Sequence, residues 1–363
     1  MKAIRIAIVG VGNCASSLLQ GLTYYQQPSA PQHGLLYRAI GAYRPSAIRV
    51  VAAFDIDARK VGKPLEQAMV AEPNCTTQFS KRVPQYGLRV QMGPVLDGVA
   101  AHMANYPHPR TFMVAKRTPV NVAKVLRDTR ADIVINYLPV GSERATAYYA
   151  QACLDAGVSF LNCMPVFIAS DPAWARRFAA RGIPLIGDDI KGQLGATILH
   201  RTLAKLFTMR GIAVDRTYQL NIGGNTDFLN MLNQERLRLK KISKTEAVQS
   251  ALSNRLPSND IHIGPSDYVP WLNDRKLCFL RMEGRGFGDC PISLELKLSV
   301  EDSPNSAGMV INLIRCLKLA RDRGLTGPIE SVSAWSMKHP PRPLDDEDAR
   351  RLVDAFIHGT SNR

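Results

Sequence analysis

Three segments of the chain put acids and lysines where proton and phosphate chemistry is done. Lys240-Lys241-Ile242-Ser243-Lys244-Thr245-Glu246 contains a capping-box pattern from Ser243 to Glu246. It predicts a helix that begins at Ser243, with Lys244 on its first turn. Cations are disfavoured at a helix N-terminus, so lysines there point to a bound anion, a phosphate or an enolate. The same run also fits a solvated basic face. Gly187-Asp188-Asp189-Ile190-Lys191-Gly192-Gln193 lies between an apolar strand and a long helical stretch. Two acids and a lysine at a strand's carboxyl end can do proton work; they also fit an Asp helix cap with a solvated neighbour. Asn221-Ile222-Gly223-Gly224-Asn225-Thr226-Asp227 has amides that can hold sugar hydroxyls or cap a helix. Asp302-Ser303-Pro304-Asn305-Ser306 carries an acid into a capped helix start, and Lys338 is uninformative by itself.

A second kind of chemistry is written at the N-terminus. Gly10-Val11-Gly12-Asn13-Cys14-Ala15-Ser16 follows an apolar strand and opens a helix. It is an incomplete dinucleotide-binding turn, with Ala15 or Ser16 where the third glycine belongs. Gly10 makes the tight turn, and Gly12 lets backbone approach a pyrophosphate at the helix N-terminus. Asp55 ends the second strand, where an acid binds ribose hydroxyls. Its separation from Gly12 is about twice the usual ~20 residues, which an inserted loop over 26–46 explains. An acid there favours NAD over NADP, although Arg59 and Lys60 lie nearby.

The elements that must position these residues alternate. Strands are predicted at 2–9, 48–54, 88–91, 132–137, 158–162 and 184–186. Helices are predicted at 15–25, 120–129, 143–156 and 173–181. That order argues for an α/β fold, a Rossmann-like doubly wound parallel sheet. After Gly187 a helix at 196–209 leads into period-2 stretches at 218–222, 276–282 and 292–300, a mainly antiparallel sheet. Helices return at 307–321 and 345–356. The expected division is a dinucleotide-binding domain of 1–195 and 303–363, with an inserted α+β catalytic and oligomerisation lobe at 196–302.

Composition excludes several classes. The 363 residues are 45% hydrophobic and 21% charged, so the chain can bury a full core and is neither disordered nor a disulfide scaffold. No apolar run approaches the ~18–20 residues of a membrane span. Lys2 and Arg5 before a short apolar stretch read as a buried first strand, not a signal peptide. Seven scattered cysteines without a C-x-x-C pair fit a reducing cytoplasm. A net charge of +15 permits nucleic-acid, anionic-membrane or phosphorylated partners. No nucleic-acid module and no aromatic–basic interleaving accompany it, so nucleic acid is not expected.

In this order, Ile8-Val9-Gly10-Val11-Gly12-Asn13-Cys14-Ala15-Ser16-Ser17, Leu138-Pro139-Val140-Gly141-Ser142-Glu143, the Gly187–Lys191 and Gly224–Asn230 segments, Lys241-Ile242-Ser243-Lys244, His262-Ile263-Gly264-Pro265-Ser266-Asp267 and Asp302–Gly308 resemble the myo-inositol-1-phosphate synthases of the shorter actinobacterial type. The resemblance covers nearly the whole chain. It implies conversion of glucose 6-phosphate to 1D-myo-inositol 3-phosphate: oxidation at C5 by bound NAD, enolisation, aldol closure and re-reduction. It implies a cytoplasmic homotetramer. It gives Lys240 oxyanion stabilisation or proton transfer beside C5, and Lys244 and Lys338 phosphate and enolate contacts. Asp189, Asp227 and Asp302 orient lysines and hydroxyls, and Gly224 and Asn225 form a phosphate-binding turn. Gly10, Gly12, Asn13, Cys14, Ala15, Asp55, Pro139 and Asp188 hold the cofactor. Other branches carry a lysine after a Gly-Asp pair in the inserted sheet; here Gly288-Asp289-Cys290 has none, and Arg281, Arg285 or Lys276 must supply that charge. A divalent metal is associated with some members, but no ligand motif supports one here. Two alternatives stand beside this: a simple NAD-dependent dehydrogenase of a phosphorylated sugar, or a non-catalytic NAD-binding protein with a basic nucleic-acid-binding surface. Net consumption of NAD, or steeply salt-dependent DNA binding, would distinguish them.

Overall fold

The computed structural model describes residues 3–27, 30–80, 84–252 and 254–361. Lys2 of the predicted first strand, and Pro28 and Ser29 of the predicted loop, lie outside that set. The first strand, β1 (Ile4–Val9), turns at Gly10 into α1 (Asn13–Tyr24). β2 (Ile48–Asp55), the short α2 (Leu65–Ala68) and β3 (Gln91–Met92) follow. Then come α3 (Val122–Asp128), β4 (Ile133–Asn136), α4 (Glu143–Ala156), β5 (Ser159–Asn162), α5 (Pro172–Ala180) and β6 (Pro184–Ile186). The chain leaves this sheet through α6 (Ala196–Met209) and builds β7 (Ala213–Gly223), α7 (Thr226–Asn230), α8 (Arg238–Gln249), β8 (Ile261–Tyr268), β9 (Arg275–Arg285) and β10 (Pro291–Glu301). It returns through α9 (Asp302–Asp322) to β11 (Gly327–Pro328), α10 (Glu330–Ser336) and α11 (Asp346–His358).

The first sheet has the order β11-β6-β5-β4-β1-β2-β3, and its pairs are parallel. This is the expected Rossmann-like doubly wound order, whose crevice opens at the carboxyl ends of β1 and β4. The strands are buried on both faces, which is why β1 reads Ile-Arg-Ile-Ala-Ile-Val with hardly a polar break. One core packs β1, α1 and α9 together through Leu18, Leu22, Val310 and Ile314; the other lies under α3, α4 and α5. The second sheet has the order β10-β9-β7-β8, antiparallel except for the parallel β7–β8 pair.

Three expectations about elements change. α9 starts at Asp302, five residues before the predicted 307, so the acid of that segment sits on the helix itself. β8 was not anticipated, because Gly264 and Pro265 interrupt its apolar pattern. It tolerates Pro265 as a sheet edge, beside a register shift against β7 at Asn221 and Ile222. α8 begins at Arg238, not Ser243. Ser243 is fully buried in mid-helix and donates its hydroxyl to Asp189 Oδ2 at 2.6 Å. A buried carboxylate partner therefore replaces the predicted capping role, and Lys240, not Lys244, lies in the first turn.

Candidate active site

One cleft runs from the glycine turn to the foot of the second sheet. Its cofactor side, about 1070 Å³, is lined by Gly10, Gly12, Asn13, Cys14, Asp55 and Pro139 among others. Its other side gathers Asp189, Asp227, Lys240, Lys244, Lys276, Asp302 and Lys338. Cys14, Met164, Asp227 and Asp302 line both, so the two sides are continuous.

The cofactor side is made mainly of backbone. Gly10 has φ +87°, and a Cβ there would sit 2.7 Å from the Tyr137 carbonyl oxygen, so glycine is required. At Gly12 a Cβ would meet nothing within 4 Å; the turn leaves open space above it. Gly12 also precedes α1 with no side-chain cap, which leaves the first amides of that helix free for an anion. Asp55 accepts the Val11 N–H at 2.7 Å and the N–H groups of Ile56 and Asp57 at 2.7 and 2.8 Å. It thereby ties the end of β2 to the turn while still lining the cleft. The nearby cations are engaged elsewhere. Arg59 pairs with Asp57 at 2.6 Å, and buried Lys60 donates to the Val11 carbonyl and Asn74 Oδ1, both at 2.8 Å. Ala15 is buried behind the turn and packs in the core rather than facing the cleft.

Asp188 is not at the cleft. Its carboxylate is fully buried and accepts from Asn162 Nδ2 at 2.7 Å, from the amides of Ile168, Ala169 and Ser170, and from the Ser170 hydroxyl. Burial pushes its pKa up to about 6. This geometry lends the expected cofactor contact no support: protein donors engage the carboxylate and hold the loop after β5 against the end of β6.

The lysine side is made of charged side chains. Lys240 pairs with Asp227 at 3.2 Å, Lys338 with Asp189 at 2.8 Å, and Lys276 with Asp302. Three lysines thus match three carboxylates. Lys244, 8% exposed, has no hydrogen-bond or ion-pair partner among the described residues. Burial and the charges of Lys240, Lys338 and Lys276 drive its pKa well below the ordinary lysine value. Burial would also lower Lys240, but Asp227 and Asp189 outweigh it and hold that ammonium above the usual range. Lys338 is lowered by burial and by Lys240, with Asp189 opposing. Burial would raise Asp189, but Lys338 and Lys240 keep its carboxyl below the usual range. Lys240 and Lys244 share a face because they are one helical turn apart on α8.

The same side receives the start of α6, capped by no side chain at Gly195, with Thr197 and the buried, unpartnered Ser306 hydroxyl beside it. The sequence predicts this helix over 196–209 but gives its start no part in the site; the glycines at 192 and 195 were the signal. Among the three residues weighed for the missing charge, only Lys276 reaches the cleft. Arg281 pairs with Glu283 at 2.6 Å and Arg285 with Asp215 at 2.9 Å, both on the sheet surface. Gly224 and Asn225 do not join the lysines. A Cβ on Gly224 would sit 2.4 Å from the Val269 carbonyl, so that glycine serves close packing. Asn225 caps α7, accepting the Asp227 and Phe228 amides at 3.1 Å, and lines the cofactor side. Neither residue lines the lysine side, so this geometry lends the expected phosphate-binding turn no support. All seven cysteines are free, no group of described residues could hold a metal ion, and no helix of the described residues is long and apolar enough to cross a membrane.

Comparison with known proteins bears on this geometry. The profile of the myo-inositol-1-phosphate synthase family matches residues 195–303. The inositol-3-phosphate synthase of Mycolicibacterium smegmatis is 52% identical over 362 residues, covering 98% of each chain. That of Corynebacterium glutamicum is 52% identical over 363 residues, again covering 98% of each. Among solved structures, a myo-inositol-1-phosphate synthase-related protein from Thermotoga maritima superposes with a TM-score of 0.80 over 98% of both chains; at 23% identity it speaks to the fold alone.

Proposed function

The chain belongs to the myo-inositol-1-phosphate synthase family and is an enzyme of that family, and from that premise we propose how its cleft converts D-glucose 6-phosphate to 1D-myo-inositol 3-phosphate. The glycine turn would hold NAD, which would supply the reversible oxidation at C5. The open space over Gly12 and the uncapped start of α1 support that seat. Asp55 would hold the adenosine ribose, and Arg59, the arginine weighed nearby, is held by Asp57 rather than free for a 2′-phosphate.

The single observation that carries the sugar-phosphate reading is the unmatched Lys244. A buried ammonium with no ion pair of its own is costly; Asp189 attracts Lys244 but is already paired with Lys338, and a phosphate dianion supplies the missing partner. The uncapped α6 start, Thr197 and Ser306 complete the phosphate seat beside it. Lys240, kept protonated by Asp227 and Asp189, stabilises the oxyanion that develops at C5 and in the enolate. Lys338, lowered by burial, is suited to passing a proton at Nζ while Asp189 aims it. Asp302 orients Lys276, which adds positive charge opposite the enolate. In this reading 196–302 is the catalytic and oligomerisation lobe of a cytoplasmic homotetramer. The 11-residue edge strand β10 and the fully exposed Phe287 at its turn are surface that such an assembly would cover.

Phosphorus NMR of the protein with glucose 6-phosphate and catalytic NAD⁺, with NADH absorbance followed in parallel, tests the function. A new inositol monophosphate signal without accumulating NADH is expected. Accumulating NADH would instead make the protein a simple dehydrogenase.

A further inference from the structure

Between the two sides of the cleft, and lining neither, lies Asp274. It is 1% exposed. Its Oδ1 accepts from Asn225 Nδ2 at 2.9 Å, from the Ser303 hydroxyl at 3.0 Å and from Asn13 Nδ2 at 3.4 Å. Its Oδ2 accepts the Ser303 amide at 3.2 Å, and the Thr76 side chain is a further partner. Its backbone carbonyl accepts the Asp302 amide at 3.0 Å. Four separate stretches of chain therefore converge on one carboxylate: the cofactor turn, the loop at 74–77, the start of α7 and the start of α9.

Two of its neighbours matter most. Asn13 belongs to the glycine turn and lines the cofactor side. Asp302, held through the Asp274 backbone, pairs with Lys276 two residues further along β9. Asp274 thus bridges the cofactor turn to a lysine–carboxylate pair of the sugar side. Every group it meets through its carboxylate is a donor, so the ionised form fits the site and an amide would not. The preceding residue, Asn273, sits at φ +51°, and its carbonyl accepts the Gly224 amide at 3.1 Å. The backbone is bent there to aim Asp274 inward.

We propose that Asp274 is a positioning residue that couples the cofactor seat to the sugar-phosphate seat. Cofactor on the turn fixes Asn13; Asp274 transmits that constraint to Ser303, Asp302 and Lys276, and sugar phosphate then binds a site already ordered. Coupling of this kind is a ratio of affinities and is reciprocal. The inference rests on the NAD and sugar-phosphate reading above.

The test measures glucose 6-phosphate binding by calorimetry, with and without saturating NADH, which cannot oxidise the sugar. Wild-type protein is expected to bind glucose 6-phosphate about tenfold more tightly with NADH present, within the usual range of coupling. In Asp274→Asn the ratio is expected to fall to near one, while affinity without NADH stays within about twofold by the same reasoning. A merely structural role would weaken both affinities and leave the ratio alone. Ser303→Ala, which removes one donor and keeps the carboxylate, should lower the ratio partially; it serves where Asp274→Asn does not fold. An unchanged ratio in the folded variants overturns the coupling role while the cofactor reading stands. Wild-type protein that binds no NADH overturns both.

Discussion

The two sides of the cleft are built by different means. The cofactor side is centred on one contiguous turn, residues 10–14, whose backbone amides and missing side chains make the seat, with Asp55, Pro139 and other residues closing around it. The lysine side is assembled from the end of β6, α7 and α8, the start of β9, the start of α9 and the segment after α10. Backbone sites tolerate little change at a few glycines. Charge sites tolerate no imbalance among partners that are far apart in sequence. Of the five lysines that line this side, Lys191 is paired with Asp346 and three match the three carboxylates of the cleft, which leaves Lys244 for the substrate.

Variants can break this contrast. The largest effect is expected on the lysine side: Lys240→Ala and Lys244→Ala each lower turnover by about 10³-fold or more, as loss of a charge-stabilising donor in a dry site does, while NADH still binds. NADH fluorescence and product formation, measured on the same sample, check both halves. Either variant with near wild-type turnover would remove that lysine from the chemistry. On the cofactor side, Gly12→Val fills the space over the turn and should weaken NAD binding by about 100-fold, since a whole side chain displaces ligand from a close backbone contact. Binding of inorganic phosphate at the lysines should be unaffected by that change, and a parallel loss there would mean the two sides are not separable. Asp55→Ala is expected to be milder, about tenfold in the NADH dissociation constant, near the worth of one charge-assisted hydrogen bond. An unchanged constant would reject its ribose contact.

The smallest expected effect is on stability. Burial and neighbouring lysines lower the pKa of Lys244, so in the window between its folded and its ordinary value the unfolded chain binds the extra proton. Stability must then rise as pH rises through that window. Lys244→Met should remove this dependence and raise the melting temperature of the ligand-free protein, most at the lower pH. A variant that melts lower at every pH would show that Lys244 has a counter-charge after all.

How much of this was legible in the sequence follows the same contrast. β1, the glycine turn and α1 are local, and periodicity with two glycines was enough to read them. α4 and α6 match their predicted spans, because an uninterrupted 3.6-residue pattern is a strong signal. The lysine side was legible only through resemblance, and its details were misread. Ser243 looked like a cap because its local pattern is one; a buried Asp189, 54 positions away, claimed its hydroxyl instead. Asp188 was given cofactor contact by the resemblance alone, while in the fold five protein donors surround its carboxylate. Lys276 sits in an alternating strand that marks it no differently from Arg281 or Lys297, and only the sheet's orientation sends it into the cleft. Backbone chemistry is local and shows in sequence; charge pairing is tertiary and does not.

The central claim is that Lys244 is the unmatched charge that the substrate's phosphate completes. Calorimetric titration of NADH-loaded protein with glucose 6-phosphate, in buffers of different ionisation enthalpy, measures it directly. Below the ordinary lysine pKa, where ligand-free Lys244 has lost part of its proton, binding should draw a proton onto it in the wild type. No such uptake should occur in Lys244→Met. Equal proton uptake by the two proteins would contradict the account.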